Sequence, residues 1–185
     1  MTPGGHDVCP AKHARWLATP LRRLINDPKR ILRGLIAAGD HAVDLGCGPG
    51  FFTVPMAEMV GPQGKVTAVD LQAEMLEMVR KRAERRGVAA RIRLHEGTAD
   101  TIGSIEPADF ALAFYMVHEV PDAARFLGEV AGLLKPGGRC LLVEPNGHVS
   151  ADAFERTVEL AVAAGMKSIS RRRVAFSRGV LLERG

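Results

Sequence analysis

The chain has 185 residues, of which 46% are apolar and 25% charged, and its formal net charge is +4 at neutral pH. This length suits one domain with a single core, and the composition is that of an ordinary globular protein. The longest fully apolar run, residues 110–117, is much shorter than the roughly 20 residues that a membrane helix needs. Scattered cysteines and an N terminus without a signal-peptide pattern favour a cytoplasmic protein.

The surplus of basic residues raises the question of a nucleic-acid partner. Lysine and arginine are concentrated in separate groups, within residues 22–33, 80–86 and 171–173. A nucleic-acid footprint needs basic side chains gathered on one face. Separate groups are more typical of a solvated surface, so nucleic acid is the less favoured partner.

The N-terminal segment is predicted to contain a tail and two helices. Residues 1–10 are expected to form a mobile tail, and their potential metal ligands lack any zinc-binding spacing, so no metal site is expected. Helices are predicted at residues 12–18 and 28–38. Asp27 is suited to be the N-cap of the second helix, with Pro28 in its first position.

From residue 41 onward, strands alternate with helices. Such alternation is typical of an α/β fold with parallel strands and right-handed crossovers. Gly87 is predicted to end the second crossover helix, and residues 135–138 are predicted to stop a later helix and form a turn. The predicted strands are residues 41–46, 65–70, 91–96, 108–115, 138–144, 167–173 and 178–183, and the predicted helices are residues 51–60, 72–86, 122–134 and 150–164.

The most informative stretch joins the first predicted strand to the next helix. Gly46, Gly48 and Gly50 lie at every second position after Asp44. Glycines allow a tight turn and the close approach of a ligand, and the amides that open the next helix face that ligand. In dinucleotide-binding turns the third glycine follows the second by three residues, whereas here it follows by two. Asp70, at the end of the second strand, is placed to accept hydrogen bonds from a ribose.

Together with these residues, two later stretches give the chain a resemblance to the class I S-adenosylmethionine (AdoMet)-dependent methyltransferases. The motifs are VDLGCGPG at residues 43–50, Asp70, TAD at 98–100 and LKPGG at 134–138. The resemblance implies a Rossmann-like, doubly wound sheet of seven strands that ends in an antiparallel hairpin. Residues 39–185 would be the methyltransferase core, and residues 1–38 would form a pocket lid in the same domain, with no separate substrate domain expected.

The resemblance also implies which residues bind AdoMet and its product, S-adenosylhomocysteine. Asp44 would hold the ligand's ammonium group, Asp70 the ribose hydroxyls and Asp100 the adenine amino group. In the alternative interpretation, Asp44 only caps nearby amides and Asp100 is the N-cap of a helix at residues 101–104. The implied cofactor-binding residues are Asp44, Gly46, Cys47, Gly48, Gly50, Asp70, Leu71, Ala99, Asp100 and Phe114.

Candidate catalytic residues follow the fourth predicted strand, because functional groups in this fold lie at the carboxyl ends of strands. His118 and Glu119 are the candidates for a general base or a substrate anchor, since imidazole titrates near neutrality. Tyr115 is a further pocket candidate. Alignment of the reacting atoms can by itself accelerate methyl transfer, so a general base is not required. The alternatives are therefore that His118 shapes the cofactor pocket and that Tyr115 packs in the core.

The same region argues against some nucleic-acid methyltransferases. Residues 114–117 are FYMV, where DNA amino-methylating enzymes have an Asn/Asp-Pro-Pro-aromatic tetrad, and no cysteine stands there for RNA cytosine methylation. Residues 117–122, VHEVPD, instead resemble the small-molecule methyltransferases, such as those of quinone biosynthesis and the related type-11 enzymes. We therefore predict methyl transfer to a small, largely apolar acceptor. The alternatives are an RNA or protein methyltransferase and a non-catalytic AdoMet-binding scaffold subunit; the compact size is compatible with a homodimer.

Overall fold

The structure is a computed structural model that describes residues 26–185, so the predicted tail and the predicted helix at residues 12–18 lie outside it. Within the described residues, no helix has the length and apolar character that crossing a membrane would require. The strands are β1 (His41–Leu45), β2 (Lys65–Asp70), β3 (Ile92–Glu96), β4 (Ala108–Phe114), β5 (Leu134–Pro145), β6 (Met166–Val174) and β7 (Ser177–Arg184). The α-helices are α1 (Pro28–Ile31), α2 (Thr53–Met59), α3 (Ala73–Arg85), α4 (Ala123–Leu133) and α5 (Ala151–Ala163), and short 3₁₀ turns lie at Ala89–Arg91 and Val117–Glu119.

The seven strands form one sheet in the order β3-β2-β1-β4-β5-β7-β6. Strands β1 to β5 pair in parallel, and β7 runs antiparallel to both β5 and β6. This confirms the predicted doubly wound sheet with a C-terminal hairpin. The strand order reverses between β1 and β4, and open α/β sheets bind ligands in the crevice outside such a switch point.

Helices cover both faces of the central strands. In β1, Ala42 packs in the same apolar cluster as residues of α2, whereas Val43 packs in the cluster that contains residues of α4 and α5. Every residue of β1 is buried, as is usual for parallel strands that have helices on both sides. The core is therefore two apolar layers separated by the sheet, and only the strand ends are open for a site.

The helix predicted at residues 28–38 is much shorter, and that prediction was wrong. Asp27 caps α1 as expected, accepting a hydrogen bond from the Lys29 amide at 3.1 Å, but α1 ends at Ile31. Gly34 adopts a left-handed φ of +74°, which ends helices rather than continues them. The apolar residues after α1 therefore reach the core from turns, a conformation that their spacing alone does not reveal.

The boundary between α4 and β5 also differs from the prediction. β5 begins at Leu134, directly after α4, and residues 135–138 belong to the strand rather than to a separate turn. The register between β4 and β5 shifts at Ala108, so these residues form an irregular excursion of the strand. A Cβ at Gly138 would lie 2.8 Å from the Lys135 carbonyl oxygen, which explains the glycine at this point.

Candidate cofactor and active site

A cavity of about 560 Å³ lies at the carboxyl ends of the parallel strands. It is lined by residues that follow β1, β2, β3, β4 and β5. All the predicted site residues except Gly50 line it: Asp44, Gly46, Cys47, Gly48, Asp70, Leu71, Ala99, Asp100, Phe114, Tyr115, His118 and Glu119. The fold thus brings together residues that are far apart in the sequence.

The glycine turn between β1 and α2 needs its glycines for two different reasons. Gly48 and Gly50 both have left-handed backbone, with φ of +50° and +82°. A Cβ at Gly48 would meet no atom of the described residues within 4 Å, whereas one at Gly50 would lie 3.1 Å from Cγ2 of Val79 in α3. Gly48 therefore leaves room beside the cavity, and Gly50 leaves room for helix packing.

Asp70 connects the end of β2 to the glycine turn. Its Oδ2 accepts a hydrogen bond from the Gly48 amide at 2.8 Å, and its Oδ1 accepts one from the Gln72 amide at 3.0 Å. Burial raises the pKa of Asp70. A carboxylate has about four lone-pair positions, so these amides leave acceptor capacity toward the cavity.

Asp44 is the penultimate residue of β1 and is almost completely buried, with 2% of its surface exposed. Its Oδ2 accepts a hydrogen bond of 2.6 Å from the hydroxyl of Thr53, the first residue of α2. A second contact holds the turn from outside, since Nη1 of Arg82 donates to the Pro49 carbonyl at 2.9 Å. Arg82 was not predicted to be near the site, because it lies among the basic residues expected to face solvent.

The segment between β3 and β4 forms the opposite wall. Glu129 of α4 holds it: one carboxylate oxygen, Oε2, accepts hydrogen bonds from the Ile102 amide at 2.6 Å and from the Thr101 hydroxyl at 3.0 Å. Asp100 is exposed on this wall and is followed by loop, so no helix begins there. Leu71, 40% exposed, presents apolar surface to the cavity.

Of the remaining predicted cofactor-binding residues, Cys47 in the turn and Phe114 at the end of β4 are buried, whereas Gly46 and Ala99 are exposed. The ring of Phe114 packs against Phe52, with centroids 4.4 Å apart. Burial raises the pKa of the Cys47 thiol well above its ordinary value, so this cysteine is a neutral, packed side chain rather than a thiolate.

His118 lies in the 3₁₀ turn after β4 and contacts Glu144, which was not among the predicted site residues. Its Nδ1 is 2.6 Å from Oε2 of Glu144, and its backbone amide donates to Glu144 Oε1 at 3.1 Å. Glu144 is on β5 and is 2% exposed. The hydrogen bond to Glu144 raises the pKa of His118. The available clue was a carboxylate near the end of the fifth strand, at the same edge as the other site residues.

Other polar groups surround His118. Glu119 Oε1 lies 3.9 Å from His118 Nε2, and burial raises the pKa of Glu119. The ring of His148, in the loop after β5, meets the His118 ring edge-on with centroids 5.9 Å apart. The arrangement can accept or release a proton at the cavity wall.

Tyr115 is held in place by its own contacts. Its φ is +63°, its ring lies 4.2 Å from that of Phe114, and its hydroxyl hydrogen-bonds with the Ser177 hydroxyl of β7. These contacts favour a packing role, although the side chain also lines the cavity. Its catalytic role stays a prediction.

The cavity carries acidic side chains in a chain whose net charge is positive. In the part of the chain that the structure describes, the six carboxylates that line it face one arginine, Arg125, and two histidines. A cleft lined by one sign of charge concentrates ligands of the opposite sign, so this cavity suits a cationic ligand. The carboxylates are those of Asp44, Asp70, Asp100, Glu119, Asp122 and Glu129.

Comparisons with known proteins agree with this geometry. A family model described as a methyltransferase domain matches residues 36–174, so the chain belongs to that family. This confirms the resemblance found in the sequence.

Individual relatives are similar over part of their length. A demethylmenaquinone methyltransferase of Lactobacillus johnsonii is 33% identical over 112 residues, which are 60% of this chain and 46% of the relative. The aklanonic acid methyltransferase DauC of Streptomyces sp. strain C5 is 35% identical over 129 residues, which are 69% of this chain and 56% of the relative. The chain thus spans about half the length of these curated relatives.

One solved structure resembles nearly the whole fold. It is a SAM-dependent methyltransferase from Aquifex aeolicus, with a TM-score of 0.84 over 95% of this chain and 99% of that one. At 23% identity, this likeness is evidence for the fold alone.

Proposed function

We propose that this chain transfers a methyl group from AdoMet to a small, largely apolar acceptor. The observation that carries the proposal is the acidic cavity at the switch point of the sheet. Asp70 lines this cavity at the tip of β2, and the backbone of Gly48 lines it without a side chain. Membership of the methyltransferase domain family supports AdoMet as the cofactor.

The residues of the cavity fit AdoMet chemically. AdoMet supplies an electrophilic methyl group on a positively charged sulfur, and an acidic cavity favours that charge. Asp70 has acceptor capacity for the ribose hydroxyls, and Leu71 offers an apolar surface for adenine. Asp44 would bind the ammonium group of AdoMet. Because Gly48 has no Cβ, the ligand can approach the backbone closely there.

The named relatives support a small acceptor. The names of these relatives mention demethylmenaquinone and aklanonic acid, and residues after β4 resemble the quinone-biosynthesis branch. His118 is our candidate for the group that removes a proton from the acceptor, with Glu119 beside it. Alignment of the reacting atoms by the cavity walls would supply much of the remaining rate enhancement.

The competing hypotheses are an RNA or protein acceptor and a scaffold without turnover. Many basic side chains in the described part of the chain are engaged with acids, as in Arg80 with Glu77 and Arg86 with Glu58. Such pairs weaken the case for a continuous nucleic-acid surface. The buried cysteines Cys47 and Cys140 are compatible with a cytoplasmic location, which we include in the proposal.

The test uses methyl-labelled AdoMet and an extract of the source cell, separated into RNA, protein and small molecules. We expect label in the small-molecule fraction. Label in RNA or protein would overturn the acceptor class, and bound AdoMet without label would favour the scaffold. An Asp70→Ala variant is the negative control, and Glu96→Ala, at the end of the neighbouring strand and outside the cavity wall, is the matched positive control.

A further inference from the structure

The carboxylate of Glu144 accepts two hydrogen bonds from one residue. Oε1 accepts from the backbone amide of His118 at 3.1 Å, and Oε2 is 2.6 Å from its Nδ1. The first contact fixes which oxygen remains for the ring, and the second fixes the ring's orientation. Glu144 itself is 2% exposed, so water does not compete for these positions.

This contact bears on which nitrogen of His118 carries hydrogen. It joins Nδ1 to a carboxylate oxygen, and an ionised carboxylate accepts hydrogen bonds and cannot donate them, so hydrogen on Nδ1 would satisfy the contact. In the neutral ring, Nε2 then has the free lone pair. Nε2 lies on the side of Glu119, whose Oε1 is 3.9 Å away, and both side chains line the cavity.

We propose that Glu144 is a positioning residue that keeps hydrogen on Nδ1 of His118, so that Nε2 takes a proton from the methyl acceptor. The acceptor is then a hydroxyl on an unsaturated ring or enol, because such a group must lose its proton to become a strong nucleophile. The choice of acceptor rests on the proposed function; the positioning of His118 by Glu144 does not.

The step balances without another reactant. The acceptor's O–H bond breaks and its proton goes to Nε2 of His118. The electron pair left on oxygen, or on a ring carbon conjugated with it, forms the bond to the methyl carbon. The bond from that carbon to sulfur breaks, its electrons go to sulfur, and the sulfonium charge is cancelled. His118 then releases its proton to water.

Among residues 26–185, three titratable groups face His118 and set its environment: Glu144 on β5, Glu119 in the same turn and His148 in the loop after β5. Of these three groups, Glu144 is the one within hydrogen-bond distance of the ring. Removal of the Glu144 charge should therefore change the tautomer of His118, whereas removal of the Glu119 charge should not.

The decisive variant is Glu144→Gln, which keeps the shape but leaves only one acceptor oxygen. If that oxygen keeps the backbone amide of His118, the NH₂ group faces Nδ1 and must donate to it, which moves the ring hydrogen to Nε2. An incorrect tautomer of this kind disables a histidine base without removing it. In the unsubstituted 185-residue chain, ¹H–¹⁵N spectra of the histidine rings should show hydrogen on Nδ1 of His118. In Glu144→Gln they should show it on Nε2, with a lowered pKa.

Matched variants make the result interpretable. His118→Asn assigns the His118 resonances, Glu119→Gln should keep the Nδ1–H tautomer, and Glu144→Asp should restore it at least in part. Hydrogen on Nε2 in the native chain, or an unchanged tautomer in Glu144→Gln, would overturn the positioning role. These spectra need no AdoMet and no acceptor.

Turnover provides the second measurement, with methyl-labelled AdoMet and the small-molecule extract of the source cell as probes. We expect Glu144→Gln to lower kcat about 10²-fold or more, the range of a lost general base, with unchanged AdoMet affinity. A labelled product methylated on an amine or a thioether would overturn the proposed acceptor. If no fraction is labelled, the proposed function fails, while the spectra still decide the role of Glu144.

Discussion

Asp70 holds the glycine turn and faces the cavity with the same carboxylate. Its two oxygens accept hydrogen bonds from the amides of Gly48 and Gln72, which fixes the distance between the end of β2 and the turn. The sequence predicted the ribose contact of Asp70 but not its hydrogen bond to Gly48. The predicted ribose site and the shape of the turn are therefore coupled at one residue.

Replacement of Asp70 tests the cofactor site. Asp70→Ala should weaken AdoMet binding by about 1–3 kcal/mol, because it leaves polar partners unpaired. Isothermal titration calorimetry measures the loss. Glu96→Ala removes a carboxylate at the end of the neighbouring strand, outside the cavity wall, and should bind AdoMet normally. Equal affinities of the native protein and Asp70→Ala would refute the assignment.

His118 gives a prediction about pH. Its base form is the unprotonated one, and the Glu144 carboxylate raises its pKa above the ordinary value of 6.5. The value of kcat/KM should therefore fall as the pH decreases through this raised pKa, with the midpoint above pH 6.5. A rate profile from pH 5 to 9 measures this.

His118→Ala is the corresponding variant. It should lower kcat by about 10²-fold or more and remove the acidic limb of the profile. AdoMet affinity should be nearly unchanged, since the ring is assigned to the acceptor side. Unaffected turnover on the true acceptor would make His118 a structural residue.

In the glycine turn between β1 and α2, Gly50 allows helix packing and Gly48 leaves room beside the cavity. Gly50→Ala places a Cβ 3.1 Å from the Val79 side chain in a left-handed backbone, so it should destabilise the fold by more than 1 kcal/mol. The Cβ of Gly48→Ala would meet no atom of residues 26–185 within 4 Å, so this variant should cost about 1–2 kcal/mol of stability from backbone strain alone. Urea unfolding measures both.

The same pair separates packing from binding. Gly48→Ala should also weaken AdoMet binding, because its Cβ would lie where the ligand approaches the backbone. Gly50→Ala should bind with nearly native affinity while it remains folded. The reverse pattern in calorimetry would mean that the ligand contacts the other end of the turn.

The predicted bounds of helices and strands agree with the structure where the apolar pattern is regular. The bounds of β2 were predicted to the residue, and α3 and α5 to within one residue at each end. The pattern failed at α1, where Gly34 adopts a left-handed φ, and at β5, where the strand continues through residues 135–138. Both failures involve backbone conformations at glycines, which the periodicity of the side chains does not encode.

At the scale of the whole molecule, ligand binding should stabilise the fold. At 100 times its Kd, AdoMet should add about 2.7 kcal/mol to the free energy of unfolding. For a chain of this size that is a rise in Tm of roughly 5–10 °C. Differential scanning fluorimetry measures the shift. NAD should produce none, because the glycine spacing differs from the dinucleotide pattern, and a larger shift with NAD would contradict the cofactor assignment.

Local patterns in the sequence were enough to predict the α/β class, the glycine turn and, through the family resemblance, a doubly wound seven-stranded sheet with a C-terminal hairpin. They were enough because periodicity and glycine spacing are local properties. Only the tertiary structure joined Glu144 to His118, Arg82 to Pro49 and Asp70 to Gly48. Each of these contacts links separate elements whose approach depends on the packing and twist of the whole sheet, and no local pattern in the chain encodes such distances.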